Sequence, residues 1–218
     1  MDLPQIESFL DSPDPQSRMK AIVELRHHEP DVVVPLLKRR VHDKQFLVRS
    51  FVAMGLGYKR NDEAFDILLD IVKDETDHNV IAEAANSLAK FGPQAIPYLV
   101  DIFEHKSHWL VRQSIFAALE DIDSPEVLLQ LCRMGFEGDD PTVKQVATAS
   151  LGRLEGMAQA PQALEILLQA AVDGDALIRA EAAKALRRFA APQAQAALAE
   201  LRQDPDHRVV GATLEGLL

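Results

Sequence analysis

Asp77-His78-Asn79-Val80-Ile81-Ala82-Glu83-Ala84-Ala85-Asn86-Ser87-Leu88 sets a frame that the rest of the chain repeats. Val80 is followed eight residues later by Leu88, and the pairing returns at Val48 and Leu56, Val111 and Leu119, Val143 and Leu151, Ile178 and Leu186, and Val209 and Leu217. Ser17 and Leu25 fit the same frame, so the anchors stand 31, 32, 31, 32, 35 and 31 residues apart. In most of these stretches an apolar anchor, another apolar residue four or five later and leucine eight later fall on one side of a 3.6-residue period. A period of about 30 residues marks units that cannot bury that side alone and must stack on their neighbours. The pattern predicts an all-α protein, an α-α superhelix or solenoid of about seven helical hairpins, with 1–218 as one repeat domain.

First helices are expected near 4–10, 32–41, 63–73, 95–103, 125–135, 161–171 and 192–201. Second helices are expected near 17–26, 45–57, 79–90, 109–119, 142–154, 177–189 and 208–217. Three positions before the anchors stand Asp14, Asp77, Asp140, Asp175 and Asp206, with His108 in the fourth hairpin. An aspartate there accepts N–H groups that a helix start leaves unpaired, contributing about 0.5–2 kcal/mol per cap. One residue after the anchors stand Arg18, Arg49, Arg112, Lys144 and Arg179, whose recurrence beside the aspartates predicts a charge ladder between neighbouring hairpins. The longest irregular stretch is expected at Gly135-Phe136-Glu137-Gly138-Asp139-Asp140-Pro141.

Composition narrows the function. The 218 residues carry a formal charge of −11, which repels phosphate backbones and anionic bilayers, so neither nucleic-acid binding nor membrane insertion is expected. Cys132, the single cysteine, makes no intrachain disulfide or thiolate cluster and reads as a buried filler in an apolar helix. The start MDLPQIESFLDSPDP lacks the basic and apolar regions of a signal peptide, which leads us to expect a cytoplasmic protein. HExxH, GxSxG, Rossmann and P-loop patterns are absent, so no metal site, acyl-transfer triad or intrinsic cofactor is expected.

The register Asp-x-x-Val-Arg followed by alanine-rich and leucine positions resembles HEAT repeats, and especially the short HEAT-like repeats of the phycobilisome lyase family. The tract His105-Lys106-Ser107-His108-Trp109-Leu110-Val111-Arg112-Gln113-Ser114-Ile115-Phe116-Ala117-Ala118-Leu119 is similar to the tryptophan-bearing repeat of small cyanobacterial proteins related to phycobilisome degradation. The resemblance implies an α-superhelix whose second helices line a concave groove. It also implies a phycobiliprotein subunit or its linear tetrapyrrole, such as phycocyanobilin, as a transient ligand, and a second HEAT-like subunit as a candidate partner. Relatives attach or detach bilins through a thioether on a partner's cysteine, whereas others assemble protein complexes.

A bilin presents apolar rings and two propionates, so its site needs an aromatic wall and basic groups. Trp109 and Phe46 occupy equivalent positions two before their anchors; Trp109 is the candidate wall, supported by Tyr58 and Leu110, whereas Phe46 reads as core. Arg49 and Arg112 are the candidate propionate ligands, with pairing inside the charge ladder as the alternative for each. Asp77 and His108 are the candidate catalytic groups for proton transfer. His105 lies three residues from His108, which shares its face only if the helix is continuous there. The competing reading is a noncatalytic interaction scaffold or assembly adaptor, in which Glu24, Glu83, Asn86 and Glu120 on second helices meet basic partner groups.

Overall fold

The structure, a computed structural model, describes residues 1–215, so Leu217 of the last anchor pair lies outside the described residues. Every regular element among them is helical. The chain divides into two compact units, Met1–Ile122 and Asp123–Leu218.

The first unit holds four hairpins: α1 (Leu3–Leu10) with α2 (Pro15–Glu24), α3 (Pro30–Lys38) with α4 (Phe46–Lys59), α5 (Asp62–Asp74) with α6 (His78–Ala89), and α7 (Ile96–His105) with α8 (Trp109–Ala118). Its second helices α2, α4, α6 and α8 pack in that order, each on the next. The second unit holds three hairpins: α9 (Pro125–Glu137) with α10 (Pro141–Leu151), α11 (Ala160–Ala170) with α12 (Ala176–Leu186), and α13 (Pro192–Leu201) with α14 (His207–Leu214). There α10 packs on α12 and α12 on α14. Each unit is thus a piece of α-α solenoid.

The frame explains the stacking. Val48, Val80, Val111, Val143, Ile178 and Val209 are all buried, as are Leu25, Leu56, Leu88, Leu119, Leu151 and Leu186. Full burial of such a side chain contributes about 1.5–3 kcal/mol, and recurrence at one period makes each hairpin depend on its neighbours. Ser17, the one polar anchor, is only half-buried and donates its hydroxyl to Asp14.

Several boundaries differ from expectation. Helix α3 begins at Pro30, whose fixed φ and missing N–H suit a first helical position, and ends at Lys38. Helix α9 runs to Glu137 with Gly135 buried inside it, so the expected irregular stretch shortens to the few residues before Pro141. The ends of α10 and α12 come three residues earlier than expected, at Leu151 and Leu186. Cys132 is buried, and burial pushes its thiol well above the ordinary range.

Candidate functional site

The loop before each second helix is built from the frame. Three before the anchor, Asp14 accepts from the N–H groups of Gln16 and Ser17, Asp77 from Asn79, Asp140 from Thr142 and Val143, Asp175 from Leu177, and Asp206 from Arg208. The aspartates are therefore helix caps. The expected charge ladder exists, but its acids stand two residues earlier. Arg18 meets Asp43 at 2.7 Å, Arg49 meets Glu75 at 2.5 and 3.1 Å, Lys144 meets Asp173 at 2.6 Å, and Arg179 meets Asp204 at 2.7 and 2.9 Å. Each of these acids also accepts the backbone N–H of the residue two later, so one carboxylate fixes its own loop and holds the preceding hairpin.

Proton affinities follow this geometry. Burial pushes the carboxyls of Asp43 and Glu75 up, but the guanidinium and the loop N–H groups pull harder, and both end below the ordinary carboxylate range. Asp173 is lowered in the same way, against burial, by the Asp175 N–H and Lys144. Asp204 is lowered chiefly by the Arg179 hydrogen bonds.

The fourth hairpin departs from this plan. Lys106 stands where the ladder acid belongs, His108 where the capping aspartate belongs, and Ile81 where the preceding hairpin's cation belongs. His108 still caps α8, since its Nδ1 accepts the Leu110 N–H at 3.2 Å, which places the proton of the neutral ring on Nε2. Its ring stacks on His78, with centroids 3.8 Å apart and planes at 17°, and lies 5.7 Å from the Trp109 ring at 29°. Trp109 is 41% exposed.

Arg112, one turn into α8, donates Nε to the Phe103 carbonyl at the end of α7 and spreads its guanidinium over the Phe103 ring, 4.9 Å from the centroid. Unlike Arg18, Arg49, Lys144 and Arg179, it meets no carboxylate among the described residues. The α8 start thus gathers Lys106, His108, Trp109 and Arg112 in a chain of charge −11.

Of the residues singled out from sequence, His108 and Trp109 therefore come together, with His78 added by the stack, whereas Arg112, one turn further along α8, turns to Phe103. Asp77 is the cap of the neighbouring α6, and its carboxylate takes both the backbone N–H and the side-chain amide of Asn79. Arg49 commits its guanidinium to Glu75 and to the Asp43 carbonyl. Phe46 is 37% exposed rather than core, because it stands two before its anchor on the outward side of the helix start. Phe46, His78 and Trp109 hold that position in three successive hairpins, giving the first unit a line of rings. Tyr58 lies at the opposite end of its helix, under Lys90 Nζ, and does not support Trp109. His105 ends α7 and turns back to Asp101, so no continuous helix joins it to His108.

The ladder acids Asp43, Glu75, Asp173 and Asp204, together with Lys106, are what sequence reasoning missed. Their signal was recurrence five residues before the anchor.

The sequence profile of HEAT repeats matches residues 3–89, 34–120, 65–152 and 126–217. The chain belongs to the HEAT-repeat family. No curated protein matches this HEAT-repeat chain. Among solved structures, YibA of Escherichia coli is similar over 97% of this chain and 80% of its own, at 17% identity and a TM-score of 0.67. The complex of CpcE and CpcF of phycocyanin lyase from Nostoc sp. PCC7120 is similar over 100% of this chain and 95% of its own, at 20% identity and a TM-score of 0.54. TOG3 of Drosophila melanogaster Mini spindles covers 92% of this chain and 94% of its own, at 13% identity and a TM-score of 0.53. At these identities the likeness is one of fold. No helix among the described residues is long and apolar enough to cross a membrane.

Proposed function

We propose that this HEAT-repeat chain binds a phycobiliprotein subunit, or the bilin it carries, and serves chromophore attachment or detachment during phycobilisome turnover. The observation that carries the reading is Arg112: of the cations one residue after an anchor, it alone among the described residues lacks a carboxylate, and it lies one turn from an exposed tryptophan. An aromatic wall one turn from a guanidinium that meets no carboxylate among the described residues suits a planar conjugated ligand with propionates. In this reading Trp109 and the His78–His108 stack face the pyrrole rings, the Nη groups of Arg112 take one propionate, and Lys106 adds charge without direction. Attachment adds a partner's cysteine thiolate across an exocyclic double bond of the bilin while the neighbouring carbon takes a proton, and detachment reverses both. The proton comes from the thiol through solvent, while His108, its Nδ1 held by the Leu110 N–H, donates Nε2–H to an oxygen of the bilin, and Asp77 Oδ1 is engaged by Asn79. The likeness to CpcE and CpcF supports a second HEAT-like chain as a partner.

Trp109 is the only tryptophan, so its fluorescence reports on the site directly. Titration with phycocyanobilin is expected to quench it saturably, with Arg112→Gln weakening the interaction about tenfold while the lost bond to the Phe103 carbonyl costs only about 1 kcal/mol of stability. Quenching that is linear, or identical in the variant, contradicts the reading. A second reading, a noncatalytic scaffold, is favoured by Glu83, which lies half-buried on α6 without an ion pair among the described residues.

A further inference from the structure

Helix α4 differs from its neighbours along one face. Leu47, Phe51, Met54 and Tyr58 follow one another at four, three and four residues, the spacing of a single helical face. Leu47 is 49% and Tyr58 63% exposed, with Phe51 and Met54 half-buried between them. On α6 the same frame positions hold Asn79, Glu83, Asn86 and Lys90. An apolar stripe therefore runs beside a polar one.

Two further features share this face. A cavity of about 410 Å³ opens between α2, α3 and α4, walled by Val23, Val33, Leu37, Met54 and Tyr58. Gly55 contributes to its mouth, where a Cβ would lie 2.9 Å from Leu37 Cδ1. The nearby cations are already engaged: Lys59 Nζ donates to the carbonyls of Arg26 and His28, and Lys90 Nζ lies 4.1 Å from the centre of the Tyr58 ring. Glu24 pairs with the Met1 amino group. Glu83 remains, and burial raises its carboxyl above the ordinary range, with only Lys90 opposing. Half-buried and without an ion pair among the described residues, Glu83 is the carboxylate this face leaves for a basic group of a partner.

We infer that the second-helix face of the first unit takes one amphipathic helix of a protein partner, with an apolar side chain entering the cavity beside Tyr58 and a lysine or arginine meeting Glu83. The spacing can be worked out. Met54 and Tyr58 stand three and seven frame positions beyond Glu83, about 5–10 Å along the helix direction at 1.5 Å per residue. Adjacent helix axes are about 8–10 Å apart, so anchor and cation sit about 9–14 Å from one another. Two turns of a partner helix, about 11 Å, fit that span, and the recognised pattern is an apolar residue with a basic one seven positions away. The inference rests on the scaffold reading and is independent of bilin binding.

The test uses a fluorescein-labelled 18-residue helical peptide with leucines along one face and lysines seven positions from the central leucine, followed by anisotropy against the full chain. Glu83→Gln is expected to weaken binding about fivefold while slightly raising the melting temperature, because it removes a half-buried charge with no ion pair among the described residues. Tyr58→Ala, at an exposed site, is expected to weaken binding about tenfold without unfolding. Asp70→Asn on α5 makes the same change in net charge and is expected to leave affinity unaltered. Absence of binding, equal weakening by D70N and E83Q, or a fall in melting temperature that parallels the loss in E83Q overturns the inference. Arg112→Gln, expected to bind the peptide normally, separates failure here from failure of the bilin reading.

Discussion

Replacing Asp43 by alanine removes the acid of the most buried rung of the ladder. Both side chains of the Arg18–Asp43 pair are 4% exposed, and Arg18 also donates to the carbonyls of Ser12 and Pro13 at 2.8 and 3.0 Å. The substitution strands a guanidinium between the first two hairpins and deprives the Gln45 N–H of its acceptor. Breaking a buried pair from one side costs about 3–5 kcal/mol, which for a chain of this size lowers the melting temperature by about 6–20 °C. Urea titration followed by circular dichroism measures the loss, and hydrogen exchange should locate it in α1 and α2, since repeats lean only on their neighbours. Arg18→Met combined with Asp43→Leu is expected to recover most of it, because the buried charge disappears with its partner. A loss under about 1 kcal/mol, or a double variant no better than Asp43→Ala, refutes the reasoning; the exposed Arg39–Asp11 pair, worth about 0–1 kcal/mol, sets that scale.

Acid should unfold the chain in a defined window. Because Asp43, Glu75, Asp173 and Asp204 all titrate below their ordinary values when folded, their contribution is complete above about pH 5 and is lost as pH falls below about 4 toward the folded values. Melting temperatures should therefore be level from pH 7 to 5 and then fall, and Glu75→Gln should flatten the fall. His108→Asp restores the cap used by five other hairpins and should stabilise the protein by about 0.5–1 kcal/mol in urea titrations while abolishing bilin quenching of Trp109. Cys132 should resist Ellman's reagent in the native protein and react at once in denaturant, as its burial and raised thiol require.

The fold was legible because a solenoid writes its core once per hairpin: every anchor valine or isoleucine and every paired leucine among the described residues is buried. The caps were legible for the same reason. The ladder was half legible, since cations one after the anchor recur visibly, whereas Asp43, Glu75, Asp173 and Asp204 mix two acids and are interrupted by Ser12, Lys106 and Gly138. Proximity in sequence pointed to the capping aspartates, but a cap is turned toward its own helix start. Phe46 could not be placed from its type alone, because two residues before the anchor the helix has barely begun and turns outward. The His78–His108 stack joins residues 30 apart, which only the packing of α6 on α8 brings together.

The α8 start, where Trp109 is exposed and Arg112 meets no carboxylate among the described residues, is the proposed site for a chromophore-bearing partner. Mixing the purified chain with phycocyanin, with and without free phycocyanobilin, and following complex mass by light scattering together with the visible spectrum tests it most directly. The expected result is a complex whose chromophore absorbance changes, and loss of both effects in Arg112→Gln at a melting temperature lowered by only about 2–4 °C. Absence of a complex and of any spectral change, or a variant that loses binding only in step with its stability, contradicts it.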